Sequence, residues 1–186
     1  MPVDETLQPT SGTAIKPGGV RLITTGEIAL ARKIYGYNLW YNKIWIHRDS
    51  YLPFNLQPDD IAMSPGGEIW FREETYSVDF SREHSLVKKH RFMHEMMHVW
   101  QHQRGMFVRT RGLFSRFADY YYSLDRKNLL AYGLEQQASI VSDYWLLLNY
   151  GFFGRSNLYK YRDYSPHEST QSLIAKYKKI LKGFPG

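Results

Sequence analysis

Ten consecutive residues near the middle of the chain, Phe92-Met93-His94-Glu95-Met96-Met97-His98-Val99-Trp100-Gln101, restrict the fold more than any other stretch. Phe92, Met93, Met96, Met97, Val99 and Trp100 cannot share one stripe at 3.6 residues per turn, so a helix built from them is apolar on several faces and must lie inside a domain. Two imidazoles and a carboxylate carried into such an interior need partners. His94 and His98 stand at i and i+4, where both rings can reach one ion. Glu95 sits about 100° round the axis, within reach of a water on that ion. The helix is expected to start at Ser81 or Ser85, either of which can cap it, and to run to Arg104, with Gly105 as its stop.

Four histidines, His90, His94, His98 and His102, fall at steps of four along this helix, but only the pair 94 and 98 has a carboxylate directly after its first member. A catalytic zinc takes three protein ligands and keeps one position open. The extended pattern H-E-x-x-H-x-x-G-x-x-H would supply the third from the same stretch, but Gln101 and Arg104 occupy the relevant places. The chain has no cysteine, which leaves a carboxylate from elsewhere. Glu135, 37 residues after His98, opens a second helix expected from about Leu134 to Tyr150, and Asp143, two turns on, is the alternative. Leu134, Ala138, Val141, Trp145 and Leu148 make that helix's core stripe, beside a polar stripe of Glu135, Ser139, Ser142 and Asp143. In the expected chemistry, zinc activates a water and polarises a carbonyl while Glu95 moves the proton. Tyr132, Tyr144 and His102 are candidate donors to an oxyanion, and Asp143 could orient a liganding imidazole.

The rest of the chain supports a single domain over residues 21–186, preceded by a flexible tail over 1–20 punctuated by proline and glycine. Apolar content of 43% against 23% charged residues is that of a globular protein. A short helix is expected after Thr25-Gly26-Glu27, ending at Gly36, and a strand over Lys43 to His47. A hairpin is expected from Ile61 to Met63 and Glu68 to Phe71 around Ser64-Pro65-Gly66-Gly67. A last helix is expected from about Glu168 to Leu181. The Glu68 to Phe71 segment is a candidate edge strand for aligning an extended peptide. No charged and apolar secretion signal opens the sequence, and the longest apolar candidate, Tyr144 to Phe153, is broken by Asn149 and Gly151, so no membrane insertion is expected.

The string from Phe92 to Gln101, followed by Glu135-Gln136-Gln137-Ala138-Ser139-Ile140-Val141-Ser142-Asp143-Tyr144, resembles the metallopeptidase domain at the C-terminus of certain type VI secretion spike (VgrG) proteins and related stand-alone effectors. The resemblance is close over about residues 85–150. It implies an α+β, zincin-like metallopeptidase whose active-site helix and ligand helix pack against a small, mostly antiparallel sheet. It further implies Zn2+ held by His94, His98 and Glu135, Glu95 as catalytic base, and toxicity towards competing bacteria on delivery to the periplasm. Carriage by a spike component would account for the missing signal, and a cognate immunity protein would be expected. Ser139 departs from thermolysin-like zincins, which place an aspartate there, so the bond specificity does not transfer.

The net charge of +6 favours contact with something acidic but does not choose it. Peptide hydrolysis is the leading expectation, with no nucleic-acid partner. A zinc amidase or endopeptidase acting on peptidoglycan is a near variant. The rival from another class is a basic binding module with a structural zinc, gripping an anionic partner through Arg104, Arg109, Arg111 and Arg116.

Overall fold

The computed structural model describes residues 14–106, 119–151 and 158–186. Four strands, β1 (Val20–Leu22), β2 (Trp45–Arg48), β3 (Ala62–Met63) and β4 (Ile69–Phe71), form one sheet in the order β1-β2-β4-β3. Among the described residues, four α-helices accompany it: α1 (Thr25–Tyr35), α2 (Leu86–Gln103), α3 (Leu134–Tyr150) and α4 (Thr170–Ile180). The outer pairings, β1 with β2 and β3 with β4, are antiparallel, whereas β2 and β4 run parallel, so the α+β fold carries a mixed sheet.

Two expectations change here. The hairpin forms, with Ala62 opposite Phe71 and Met63 opposite Trp70, but β4 is no edge strand because its other side is taken by β2. Among the described residues the outer strands of the sheet are β1 and β3. The boundary drawn at residue 20 also falls too late: Gly18 N donates to Arg48 O, Arg48 N donates to Gly19 O, and Arg48 Nη1 reaches Ile15 O, which fastens residues 15–19 to β2. Residues 1–13 lie outside the described residues.

Local chemistry explains where the helices begin. Thr24 and Glu27 form a reciprocal capping box on α1, Ser85 caps α2 by accepting from Lys88 N, and Ser169 caps α4. Ser81 instead binds Asp79, which decides between the two serines that could have opened α2. All ten residues from Phe92 to Gln101 are buried, as the distribution of their apolar side chains requires. Phe71, Phe80 and Phe92 stack in sequence, with ring centroids 4.6 and 4.9 Å apart, and join the sheet to α2. Tyr35 donates to Met93 O and joins α1 to it. Against α2 from the other side lies α3, whose Ala138, Ser139 and Ser142 are fully buried, small enough to let the two helices approach closely. The stripe expected to be merely polar is therefore the face that meets α2.

A second buried polar knot ties β1, α1 and the approach to α2. The Glu27 carboxylate, fully buried, accepts from both Arg21 guanidinium nitrogens at 2.9 and 2.7 Å, from Thr24 N and from Phe80 N. Removing one partner of such a pair leaves an uncompensated buried charge. Glu27→Ala is expected to destabilise the domain by about 3–5 kcal/mol, read as a lower denaturation midpoint in urea.

Candidate metal centre

α2 and α3 run antiparallel, and three polar contacts mark their register. His90 Nε2 lies 2.6 Å from Asp143 Oδ1, His94 and His98 meet Glu135, and Gln101 meets the first turn of α3. Glu135 Oε2 is 3.1 Å from His94 Nε2 and 3.2 Å from His98 Nε2, and the donor atoms of the three residues all lie within 4.8 Å of one another. Two donors bound at about 2.0–2.1 Å to a tetrahedral ion stand roughly 3.3 Å apart. Two imidazoles and one carboxylate with this spacing suit zinc in donor type and in distance. Asp143 takes no part, because eight residues of helix carry it about 12 Å along the axis from Glu135.

The electrostatics of the three residues follow from their burial and closeness. Burial pushes the His94 imidazole down to about 3 against the pull of Glu135. Burial opposes charge on His98 too, but Glu135 and Glu95 outweigh it and hold that ring up at about 9. Glu135 would be raised by burial alone; the charge of His98 and hydrogen bonds from both rings hold it well below the usual carboxylate range.

A relay that the sequence reading overlooked orients His98. Gln101 is fully buried; its amide nitrogen donates to Leu134 O and to Gln137 Oε1, each at 3.0 Å. Gln137 in turn donates to Tyr132 O at 2.8 Å. A backbone carbonyl can only accept, so these bonds fix the Gln101 amide with Oε1 towards His98 Nδ1, 2.8 Å away. Nδ1 must then donate, and Nε2 is the atom aimed at Glu135. That is the tautomer a metal ligand needs.

Glu95 is buried beside the three residues, and its Oε2 accepts from the hydroxyl of Ser64, 2.8 Å away. Burial holds its carboxyl above the ordinary range, opposed by His98 and by the Ser64 bond. Ser64 directly follows β3, so this outer strand of the sheet leads to the carboxylate. The same turn touches α2 again at Gly67, whose φ is +82° and whose α-carbon faces the His102 ring; a β-carbon there would come within 2.5 Å of it.

No known family model matches the chain. Over 173 residues it is 39% identical to the type VI secretion system spike protein VgrG2b of Pseudomonas aeruginosa, a match covering 89% of this chain but 15% of that protein's length. The solved effector domain of Pseudomonas aeruginosa VgrG2b shares its fold with a TM-score of 0.66 at 33% identity, covering 88% of this chain and 86% of that one. The chain belongs to the VgrG2b effector-domain family.

In this member of the VgrG2b effector-domain family, the cleft beside the three residues has a wall that the sequence reading did not foresee. The Tyr120 ring lies over His94 at 6.4 Å with planes 28° apart, and Lys160 Nζ sits 4.6 Å from the centre of the Tyr120 ring. Of the expected oxyanion donors, Tyr132 is engaged elsewhere through its hydroxyl. The Tyr132 hydroxyl donates to Ser123 O and accepts from Arg126 N, Tyr144 stacks on Tyr177 of α4, and His102 is exposed against Gly67. Asp143, expected to orient a liganding ring, instead joins His90 to the Tyr122 hydroxyl, which also bonds Tyr177. Arg104 binds Asn38 and Pro185 O and covers Trp100, while Arg109, Arg111 and Arg116 lie outside the described residues. No helix among the described residues is long and apolar enough to cross a membrane.

Replacing the relay's first member should loosen the metal without disturbing the ligands. Gln101→Leu is expected to weaken zinc binding about 10–100-fold, measured by competition with a chromogenic chelator.

Proposed function

We propose that this domain is a zinc-dependent peptidase of the zincin-like kind, acting as an antibacterial effector of a type VI secretion system. The observation that carries the reading is the convergence of His94, His98 and Glu135, whose ligand atoms all lie within 4.8 Å of one another, with a buried carboxylate, Glu95, beside them. His94, His98 and Glu135 would hold the ion. When bound, zinc supplies Lewis acidity, which makes a water acidic near neutral pH and draws electron density from a carbonyl oxygen.

The chain's own groups do the rest. Glu95, its carboxyl raised above the ordinary carboxylate range by burial, is suited to take a proton from the attacking water at Oε1 and pass it to the leaving amine. Ser64 holds the other oxygen, so the carboxylate keeps one orientation through the transfer. Gln101 keeps His98 in the liganding tautomer. The unpaired side of β3 offers backbone groups to an extended peptide, which would bring a scissile bond towards Glu95 along the line that ends at Ser64.

Membership of the VgrG2b effector-domain family supports delivery on, or with, a secretion spike to the periplasm of a competitor, with an immunity protein guarding the producer. Likeness to an effector domain carried by a spike protein makes association with the spike part of this reading.

The test uses purified zinc-loaded domain and an unfolded protein such as casein, with toxicity on periplasmic export as a second readout. Glu95→Ala should keep its zinc by elemental analysis but lose hydrolysis by about 10²–10⁴-fold, and lose toxicity. His94→Ala and Glu135→Ala should lose zinc itself. Full toxicity in the Glu95 variant would sink the enzyme reading. Ser64→Ala should keep zinc and KM while kcat falls about tenfold, roughly the worth of one hydrogen bond to a charged group.

A further inference from the structure

Lys160 lies on the cleft wall in a manner unlike a surface lysine. Its backbone is fixed by neighbours: Tyr122 N donates to Lys160 O at 3.1 Å, and Arg162 N donates to Tyr122 O at 2.9 Å. Its ammonium is half-buried between two rings, 4.6 Å from the centre of Tyr120 and 5.7 Å from that of Tyr159. Tyr120 is the ring that lies over His94, so one aromatic side chain separates the ammonium from a proposed metal ligand. Among the described residues, no carboxylate comes within ion-pair distance of it. Burial lowers its pKa, with Asp143, Glu135 and Glu95 pulling the other way and Arg91 adding to the lowering.

Lysine normally keeps its ammonium in water and buries only its stem. Holding the head in a cleft costs solvation that none of the described carboxylates recovers by direct contact. Charge balance points the same way. With a divalent ion bound, Glu95 and Glu135 are offset, and of the charged groups acting on Lys160 among the described residues Arg91 and Asp143 remain, Asp143 itself bonded to His90 and Tyr122. The loaded cleft then carries an excess of positive charge where a peptide would lie, and a ligand bearing one negative charge completes it.

We propose that Lys160 is the anion-recognition residue of this cleft, binding a carboxylate that the substrate carries next to the scissile bond. The proposal rests on the peptidase reading and adds a substrate class to it: peptides presenting either a free C-terminus or an acidic side chain at that place.

Binding rather than turnover tests it, using the zinc-loaded Glu95→Gln domain and calorimetric titration with four short peptides. Acetyl-Ala-Ala as free acid is compared with its amide, and acetyl-Ala-Glu-amide with acetyl-Ala-Gln-amide. One acid should bind at least about tenfold more tightly than its neutral twin, and which pair shows the difference identifies the source of the carboxylate. Lys160→Met should abolish that preference, and Lys160→Arg should keep most of it. Absence of any acid preference, or a preference that survives in Lys160→Met, overturns the proposal. Should Lys160→Met not fold, Lys160→Gln replaces it, and the preference in the Lys160 protein still stands as a test. Failure of the peptidase reading looks different: casein hydrolysis by the unaltered domain is absent or indifferent to Glu95, whatever the peptides do.

Discussion

The antiparallel packing of α2 against α3 is the contact on which the core and the polar centre both depend. Polar groups buried in an apolar interface cost free energy unless each finds a partner, and here the partners lie on the opposite helix. His90 with Asp143, His94 and His98 with Glu135, and Gln101 with Leu134 O and Gln137 form three rungs along one seam. A slide of one helical turn, about 5.4 Å, would bring the wrong histidine to each carboxylate and part Gln101 from Leu134 O and Gln137. The small residues Ala138, Ser139 and Ser142 allow the approach, and the rungs select the register. A geometry fine enough for a metal is thus held by contacts that stabilise the interface as a whole.

How much of this could be read from the sequence depended on distance along the chain. The spacing of His94, Glu95 and His98 lies within one helix, and a period of 3.6 is enough to place the two rings together. Glu135 was legible because it opens a helix whose stripe pattern is regular. The helix end at Gly36 followed from capping chemistry, which for the long helix narrowed the start to Ser81 or Ser85 and left the structure to decide for Ser85. The parallel pairing of β2 with β4 was not legible: a hairpin announces itself through its turn, whereas a crossover between strands more than twenty residues apart leaves no local mark, and β4 was mistaken for an edge. Ser64, Tyr120 and Lys160 escaped for the same reason, since loops bring them to the site. Gln101 was in view, but only as the residue that ruled out an extended motif. Its fully buried amide shows why a glutamine stands there.

Asp143 marks the limit of reasoning from residue type. A carboxylate on the right stripe of the right helix was a fair candidate for ligand or orienting group, yet two turns of α3 set it opposite His90 instead. There it joins α2, α3, the Tyr122 segment and, through Tyr177, α4. The segment that carries Lys160 is bonded to that same Tyr122. The cleft wall is therefore built on the rung of His90 and Asp143, and its position follows from the helix pair.

The brevity of β3 has a consequence of its own. An open sheet margin invites any extended chain to add to it, including another copy of the same protein, and long flat margins are where aggregates begin. Two residues present too few amide and carbonyl groups to hold such a neighbour for long. A visitor that pairs there must gain the rest of its hold from side chains in the cleft and departs readily once they let go. This arrangement limits strand addition between copies at that margin.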